Sequence, residues 1–418
     1  MPTMDAESPP ALEPVAPHDR VPSLDVLRGF ALFGILIVNI LDYAPDAVSL
    51  VDRAIRDTIT VIAEGSFFPL FSLLFGVGFA VFLGRASAAG RNPLPFYLRR
   101  VIGLFAIGVL QFIFLEDRNI LLRYSFLALP LMLFWRATPR VCVIAAVVFL
   151  ALAAGRGPMN AAATRWERSD PQRAESLRVA QTTAQAEQKQ RFAAYQKAAA
   201  SGSFSAFVVF RATWQLGNDM RYSANFRRNQ SLFVILAMFT IGVALWRAGV
   251  FTHPAHHRKL LQEMLITGGI VGIVGNLYMS TGPEANGNAW LNVWPLAATA
   301  YISNVALALA YMSAVVLLCL SPTALWRRVS SPLAIIGRMG LTNYLWQSVA
   351  MSTLFLPYGA SLEGKVPVWG LALIAIAIFV ACWPMSVWWL SRFRFGPAEW
   401  LWRSITYAQF QPLRIPAN

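Results

Sequence analysis

Ionisable and amide side chains are scarce in the apolar stretches of this chain, and their spacing narrows the chemistry they could do. The first stretch opens Ser23-Leu24-Asp25-Val26-Leu27-Arg28-Gly29. At 100° per residue in a helix, Asp25, Arg28, Leu32 and Asn39 fall within an arc of about 60° and mark one face over about 21 Å. Ser23 stands where an N-cap would. Asp25 and Arg28, three apart, can pair with each other. A guanidinium at that position can equally hold an anionic group such as a coenzyme phosphate. The sequence leaves both readings open.

Glu64 precedes Phe67-Phe68-Pro69-Leu70-Phe71-Ser72-Leu73-Leu74-Phe75-Gly76. Placed about two turns into a membrane span beside aromatic surface, a carboxylate is costly to ionise, which suits a general base or proton carrier. The competing reading is a residue wetted at the outer interface. A third group sits in Arg338-Met339-Gly340-Leu341-Thr342-Asn343-Tyr344-Leu345-Trp346-Gln347. Asn343 and Gln347 share one helix face, Arg338 and Thr342 another, and Tyr344 lies between; such a density of hydrogen-bonding groups serves either interhelical contact or a substrate cavity. The four histidines, His18, His253, His256 and His257, lie outside every apolar stretch. An outer-side imidazole base is therefore not expected, and no metal site is. Cys142, Cys319 and Cys382 sit in apolar surroundings and read as small packed hydrophobes.

These groups must be positioned by membrane helices. The 418 residues are 56% hydrophobic and 13% charged, against about 25% charged in a soluble domain. The expected class is an all-α polytopic membrane protein. A helix needs about 20 mostly apolar residues to cross the hydrocarbon core, and ten spans are expected: 24–41, 58–83, 97–115, 120–136, 139–154, 230–248, 260–280, 293–320, 333–356 and 367–391. With both termini inside, eighteen Lys and Arg fall on the cytoplasmic side, five on short outer loops and twelve in a long insert, which is the positive-inside distribution. The net charge of +14 therefore reports topology, and a nucleic-acid partner is not expected.

The organisation that follows is a disordered tail over 1–22, spans one to five over 23–155, an outer helical insert over 156–229, spans six to ten over 230–392 and a cytoplasmic tail over 393–418. Residues 173–200 lack Pro and Gly and are dominated by good helix formers, so a helix of about 42 Å is expected. It is either a lid over a cavity or a solvated connector. Residues 204–216 carry Arg211 in a short apolar run and are expected to form an interfacial or partly buried helix, since an eleventh span would reverse every downstream loop.

Five stretches, SLDVLRGFALFGILIVNI (23–40), FFPLFSLLFGVGFAVFL (67–83), LAMFTIGVALWRAGVF (236–251), PLAIIGRMGLTNYLWQS (332–348) and FGPAEWLWRSITY (395–407), make the chain resemble the YeiB-like family, the domain of unknown function numbered 418. That family is grouped with transmembrane acyltransferases, among them the membrane enzyme that acetylates heparan glucosamine and bacterial sugar O-acyltransferases. The resemblance implies a bundle in a bacterial inner membrane that passes an acyl group from cytoplasmic acyl-coenzyme A to a sugar or lipid acceptor on the far side. No tightly bound cofactor is implied. The related pattern Gly-Leu-x-His followed by Gly-Asp-Ile-Leu reads here Gly108-Val109-Leu110-Gln111 and Arg118-Asn119-Ile120-Leu121. Gln111 and Asn119 thus stand where the pattern has an acid and base pair, and neither titrates near neutral pH; Glu116 or Asp117 could compensate if the loop is shifted.

The leading expectation joins these residues in one internal cavity lined by the first, second, third and ninth spans. Arg28, Arg338, Arg99 and Arg100 would meet coenzyme phosphates. Glu64, assisted by Gln111 and Asn119, would deprotonate the acceptor. Asp25, Asn39, Asn343, Tyr344 and Gln347 would line the substrate cavity. The rival expectation is a transporter or a lipid- or solute-binding protein without acyl transfer, and a third is a scaffold recruiting partners through the insert.

Overall fold

The computed structural model describes residues 20–45, 49–115, 119–218, 220, 231–281, 289–320 and 323–415. Among them the chain is helical throughout, with a single isolated antiparallel bridge between Phe393 and Arg414. The helices are α1 Pro22–Asn39, α2 Leu50–Ile62, α3 Phe67–Ala88, α4 Leu94–Phe114, α5 Ile120–Leu131, α6 Pro139–Arg168, α7 Pro171–Ser201, α8 Phe204–Phe210, α9 Ser231–Arg247, α10 Arg258–Thr281, α11 Ala289–Leu320, α12 Ala324–Arg338, α13 Gly340–Phe355, α14 Val368–Leu390 and α15 Pro397–Tyr407.

Six helical stretches, Pro22–Tyr43, Leu50–Ala88, Leu94–Phe114, Arg258–Ser280, Ala298–Leu320 and Val368–Leu390, are long and apolar enough to cross a membrane. Ile120–Phe134, Pro139–Gly155 and Ser231–Arg247 are apolar but shorter. Ile266, Ile270, Val274 and Leu277 of α10 and Leu373, Ile376, Val380 and Val387 of α14 are exposed on the outside of the bundle. Apolar side chains facing outward along whole helices are at home in hydrocarbon, where every backbone group is satisfied within its own helix. The molecule is a multi-pass membrane protein.

Two of the expected spans are interrupted. The segment expected as one helix over 58–83 breaks after α2: Ala63 leaves helical geometry, Gly65 takes a φ of +77° that favours glycine, and α3 restarts at Phe67. The segment 333–356 breaks at Met339, whose φ of −108° and ψ of +36° end α12 and open α13. The region expected as a tail after 393 contains α15, docked on α4 and α13. The expected helix over 173–200 is found as α7, capped at its start by Asp170, whose Oδ1 accepts from the backbone of Gln172 at 2.8 Å. It ends where Gly202 turns left-handed with a φ of +58°. Residues 1–19 of the expected tail, and Glu116 and Asp117, lie outside the described residues.

Lipid tails are as apolar as leucine, so close backbone approach and dispersion hold membrane helices together more than burial does. Small residues mark the crossings. A Cβ at Gly29 would run into the carbonyl of Leu333 and one at Gly337 into the carbonyl of Asp25, so α1 and α12 touch backbone to backbone. Gly76 and Gly242 do the same for α3 and α9, against Phe239 and Leu73. Around these crossings the large side chains of Leu27, Leu32, Leu36, Leu70, Leu73 and Phe239 are fully buried.

Candidate functional site

The α1–α12 crossing delivers the first part of the site. With Gly337 pressed on the backbone of Asp25, the start of α1 and the end of α12 bring Asp25, Arg28 and Arg338 to one cavity. Arg28 Nη1 donates to Asp25 Oδ1 at 2.6 Å, so the pairing open on the sequence is made.

The C-terminal helix supplies the second part. Because α13 starts abruptly at the Met339 break with no cap from its own segment, its first N–H groups need an acceptor. Glu399 of α15 provides it. Its Oε1 accepts from Leu341 N at 2.6 Å and Thr342 N at 3.1 Å, and its Oε2 accepts from Thr342 Oγ1 at 2.5 Å. Thr342 Oγ1 in turn accepts from Ala398 N at 3.1 Å. The carboxylate caps a helix N-terminus from another helix, where the dipole favours negative charge. Burial pushes the Glu399 carboxyl above the usual carboxylate range, against these hydrogen bonds, which pull it down.

Around this frame the cavity, of about 190 Å³, is lined by Arg20, Arg28, Arg85, Arg100, Arg338, Arg394 and Arg403, with Asp25 and Glu399 as the carboxylates. Seven guanidinium groups against two carboxylates leave a surplus of five positive charges. Among the described residues the only ion pair in the cavity is Arg28 with Asp25. Two other guanidiniums rest on rings: Arg100 lies 3.7 Å from the Trp402 ring centroid and Arg403 lies 4.7 Å from that of Phe395. A ring face holds the cation but leaves the in-plane N–H donors free. Burial, with Arg338 nearby, lowers the pKa of Arg20, and burial lowers that of Arg403. A group of guanidiniums with so few carboxylates is chemically suited to an oxyanion, and a phosphate accepts bidentate guanidinium contacts. At about 30 Å³ per water, the volume suits a phosphate or diphosphate group and leaves the remainder of a larger ligand outside.

The structure thus gathers Asp25, Arg28, Arg100 and Arg338. Arg99 is exposed on the other face of α4 and stays out of the cavity. Of the two positions open for Glu64, the exposed one is found. It lies in the turn that follows the helix break at Ala63, between α2 and α3, exposed, where Oε2 accepts from Thr60 Oγ1 at 2.7 Å.

The amides of the interior are used as structural links. Asn119 caps α5, its Oδ1 accepting from Leu121 N at 2.8 Å and Leu122 N at 3.2 Å, while its Nδ2 donates to the carbonyl of Gly108. Gln111 Nε2 donates to Ser348 Oγ at 2.9 Å and joins α4 to α13, although its Oε1 is buried without a partner. Asn343 Nδ2 donates to Ile336 O at 2.9 Å and Ser386 Oγ at 3.0 Å, tying α13 to α14. Tyr344 and Gln347 are buried, and Asn39 is half-buried. None of these lines the arginine cavity. The residues expected in a single chamber are therefore divided between an arginine cavity at one end and polar links between helices in the middle.

Arg20, Arg85, Arg394, Glu399 and Arg403 were not expected at the site. A signal was present in FGPAEWLW (395–402), where a Pro begins a helix and a lone acid stands among aromatic residues.

Residues 245–409, which include Arg338, Glu399 and Arg403, match the family model described as "Protein of unknown function (DUF418)". The chain is 30% identical to the uncharacterized protein YxaH of Bacillus subtilis (strain 168), over 96% of this chain and 98% of that protein. It is 25% identical to the uncharacterized protein YeiB of Escherichia coli (strain K12), over 93% of this chain and 96% of that protein. No solved structure matches.

Proposed function

This chain belongs to the YeiB-like DUF418 family, and from that premise we propose that it binds a phosphate-rich acyl donor, acyl-coenzyme A, at the arginine cavity. The carrying observation is the surplus of guanidinium groups there, only one of them ion-paired among the described residues. In this reading the cavity faces the cytoplasm of a bacterial inner-membrane protein, in line with the positive-inside excess at that end. The coenzyme phosphates engage Arg28, Arg100, Arg338 and Arg403, and the acyl group is passed to a sugar or lipid acceptor on the far side. The ten-span arrangement with both termini inside belongs to the same proposal.

A second reading, binding or transport of the ligand without acyl transfer, has a specific observation in its favour. Gln111 and Asn119 cannot titrate near neutral pH and are engaged as helix links, and Glu64 is exposed and outside the cavity.

Thermal unfolding of the full chain in detergent with acetyl-coenzyme A tests the donor. A ligand at about 100 times its Kd stabilises by about 2.7 kcal/mol. Stabilisation that fades with added salt, is weakened by Arg403→Gln and is absent with acetyl-pantetheine, which has no phosphate, is the expected result. No stabilisation at saturating coenzyme would remove the donor. Proteoliposomes loaded with labelled acetyl-coenzyme A then separate the two readings: label in outer lipid or sugar supports transfer, and binding without transfer supports the second.

A further inference from the structure

We propose that the opposite end of the bundle carries a second, separate site for a phosphate-bearing headgroup, built around Arg211. Helix α1 and its final turn connect the two ends. Arg28 lines the first cavity and Tyr43 the second, and fifteen residues of helix between them rise about 22 Å.

Arg211 is 4% exposed. It opens the π-helical turn Arg211–Gln215 that follows α8, an expansion of the helix that recurs at functional sites because it redirects side chains. Its guanidinium lies 5.6 Å from the ring centroid of Phe207 and 6.0 Å from that of Tyr358. Its Nη1 is buried with no hydrogen-bond acceptor, and among the described residues no carboxylate pairs with it. Ring faces do not satisfy in-plane N–H donors, and a guanidinium cannot shed its charge to escape the penalty.

The side chain lines a cavity of about 560 Å³ beneath α7, with Tyr43, Phe207 and Phe210 as apolar walls and Arg191 and Glu363 as the other charges. Glu363 does not neutralise Arg211; it accepts from the hydroxyl of Tyr195 at 3.3 Å. Two guanidiniums against one engaged carboxylate call for an oxyanion from outside the chain. The aromatic walls fit the carbon portion of a phosphate ester, so a bare anion would leave them unfilled. Helix α7 lines one side of this cavity with Gln188, Arg191, Phe192 and Tyr195. The site stands whether or not acyl transfer occurs at the other end.

Isothermal titration of the full chain in an uncharged detergent tests it, with short-chain phosphatidylglycerol in one arm and water-soluble glycerol phosphate in the other. Phosphatidylglycerol is expected to bind, with Kd raised about tenfold or more in Arg211→Gln, as for loss of a charge-assisted contact, and unchanged in Arg99→Gln, an exposed position that lines neither cavity. Arg211-dependent binding of phosphatidylglycerol alone assigns the site to lipid headgroups; equal Arg211-dependent binding of glycerol phosphate assigns it to soluble phosphate esters. If neither probe binds, or Arg211→Gln binds as the wild type does, the proposal is overturned. Should that variant fail to fold, Arg211→Lys, which keeps the charge and loses the planar fork, is measured in its place. A Kd raised severalfold supports the site, and an unchanged Kd overturns it.

Discussion

Arg100 and Trp402 hold each other twice. The Arg100 guanidinium lies 3.7 Å from the Trp402 ring centroid, and the indole N–H of Trp402 donates to the backbone carbonyl of Arg100 at 2.8 Å. One residue pair thereby joins α4 to α15 and leaves the in-plane N–H groups of Arg100 available to the cavity.

Trp402→Ala is expected to lower stability by about 1–3 kcal/mol, from a cation–π contact of about 0.5–2 kcal/mol and a hydrogen bond of about 1 kcal/mol. Acetyl-coenzyme A affinity falls with it. Trp402→Phe keeps a ring under the guanidinium and loses only the N–H, so it should retain most of the affinity. Unfolding midpoints with and without ligand check both, and equal affinity in wild type and Trp402→Ala would refute the clamp.

Glu399 sets a pH dependence whose sign is fixed by its raised carboxyl. The unfolded group titrates near its ordinary 4.5 and the folded one higher. Between these values the folded state keeps a proton that the unfolded state has lost, so stability falls as pH rises across that window and the penalty is complete above the folded value. The difference in unfolding midpoint between wild type and Glu399→Gln should therefore move against the wild type as pH rises from about 4.5. A difference that stays level with pH would show that another group titrates.

Gly337→Ala should separate α1 from α12, because its methyl meets the backbone of Asp25, which cannot swing aside as a flexible side chain would. Overpacking of this kind costs about 1–3 kcal/mol. Since the same crossing aligns Arg28 with Arg338, coenzyme affinity should drop alongside stability. Gly269→Ala on α10, with nothing within 4 Å of its added methyl and no place in the arginine cavity, is the control and should leave both unchanged.

Asn119→Ala should lower stability by about 1 kcal/mol, the usual loss on removing an N-cap, without altering coenzyme binding. A variant as stable as the wild type would contradict the capping role seen at α5.

Glu64→Gln should change neither coenzyme binding nor any acyl transfer by more than about twofold, since an exposed surface position away from the reacting groups contributes little. A loss of transfer of a hundredfold would restore Glu64 as a base.

Composition and the spacing of arginines made the membrane character of the chain legible, because hydrocarbon admits few charges and long apolar runs have few other uses. The long helix of the insert was equally legible, from a stretch rich in helix formers without Pro or Gly, and so were Arg28, Arg100 and Arg338 as cavity candidates. Local sequence carries such properties because hydrophobicity and helix propensity belong to each residue with its near neighbours. The fates of Glu64 and Glu399 were decided by tertiary structure. A helix break of four residues moved Glu64 to an exposed turn, and docking of α15 carried Glu399 fifty-seven positions along the chain to the start of α13. Whether a carboxylate is buried, what it caps and which arginines surround it depend on helix packing between residues far apart in sequence, and no periodicity within one segment encodes that.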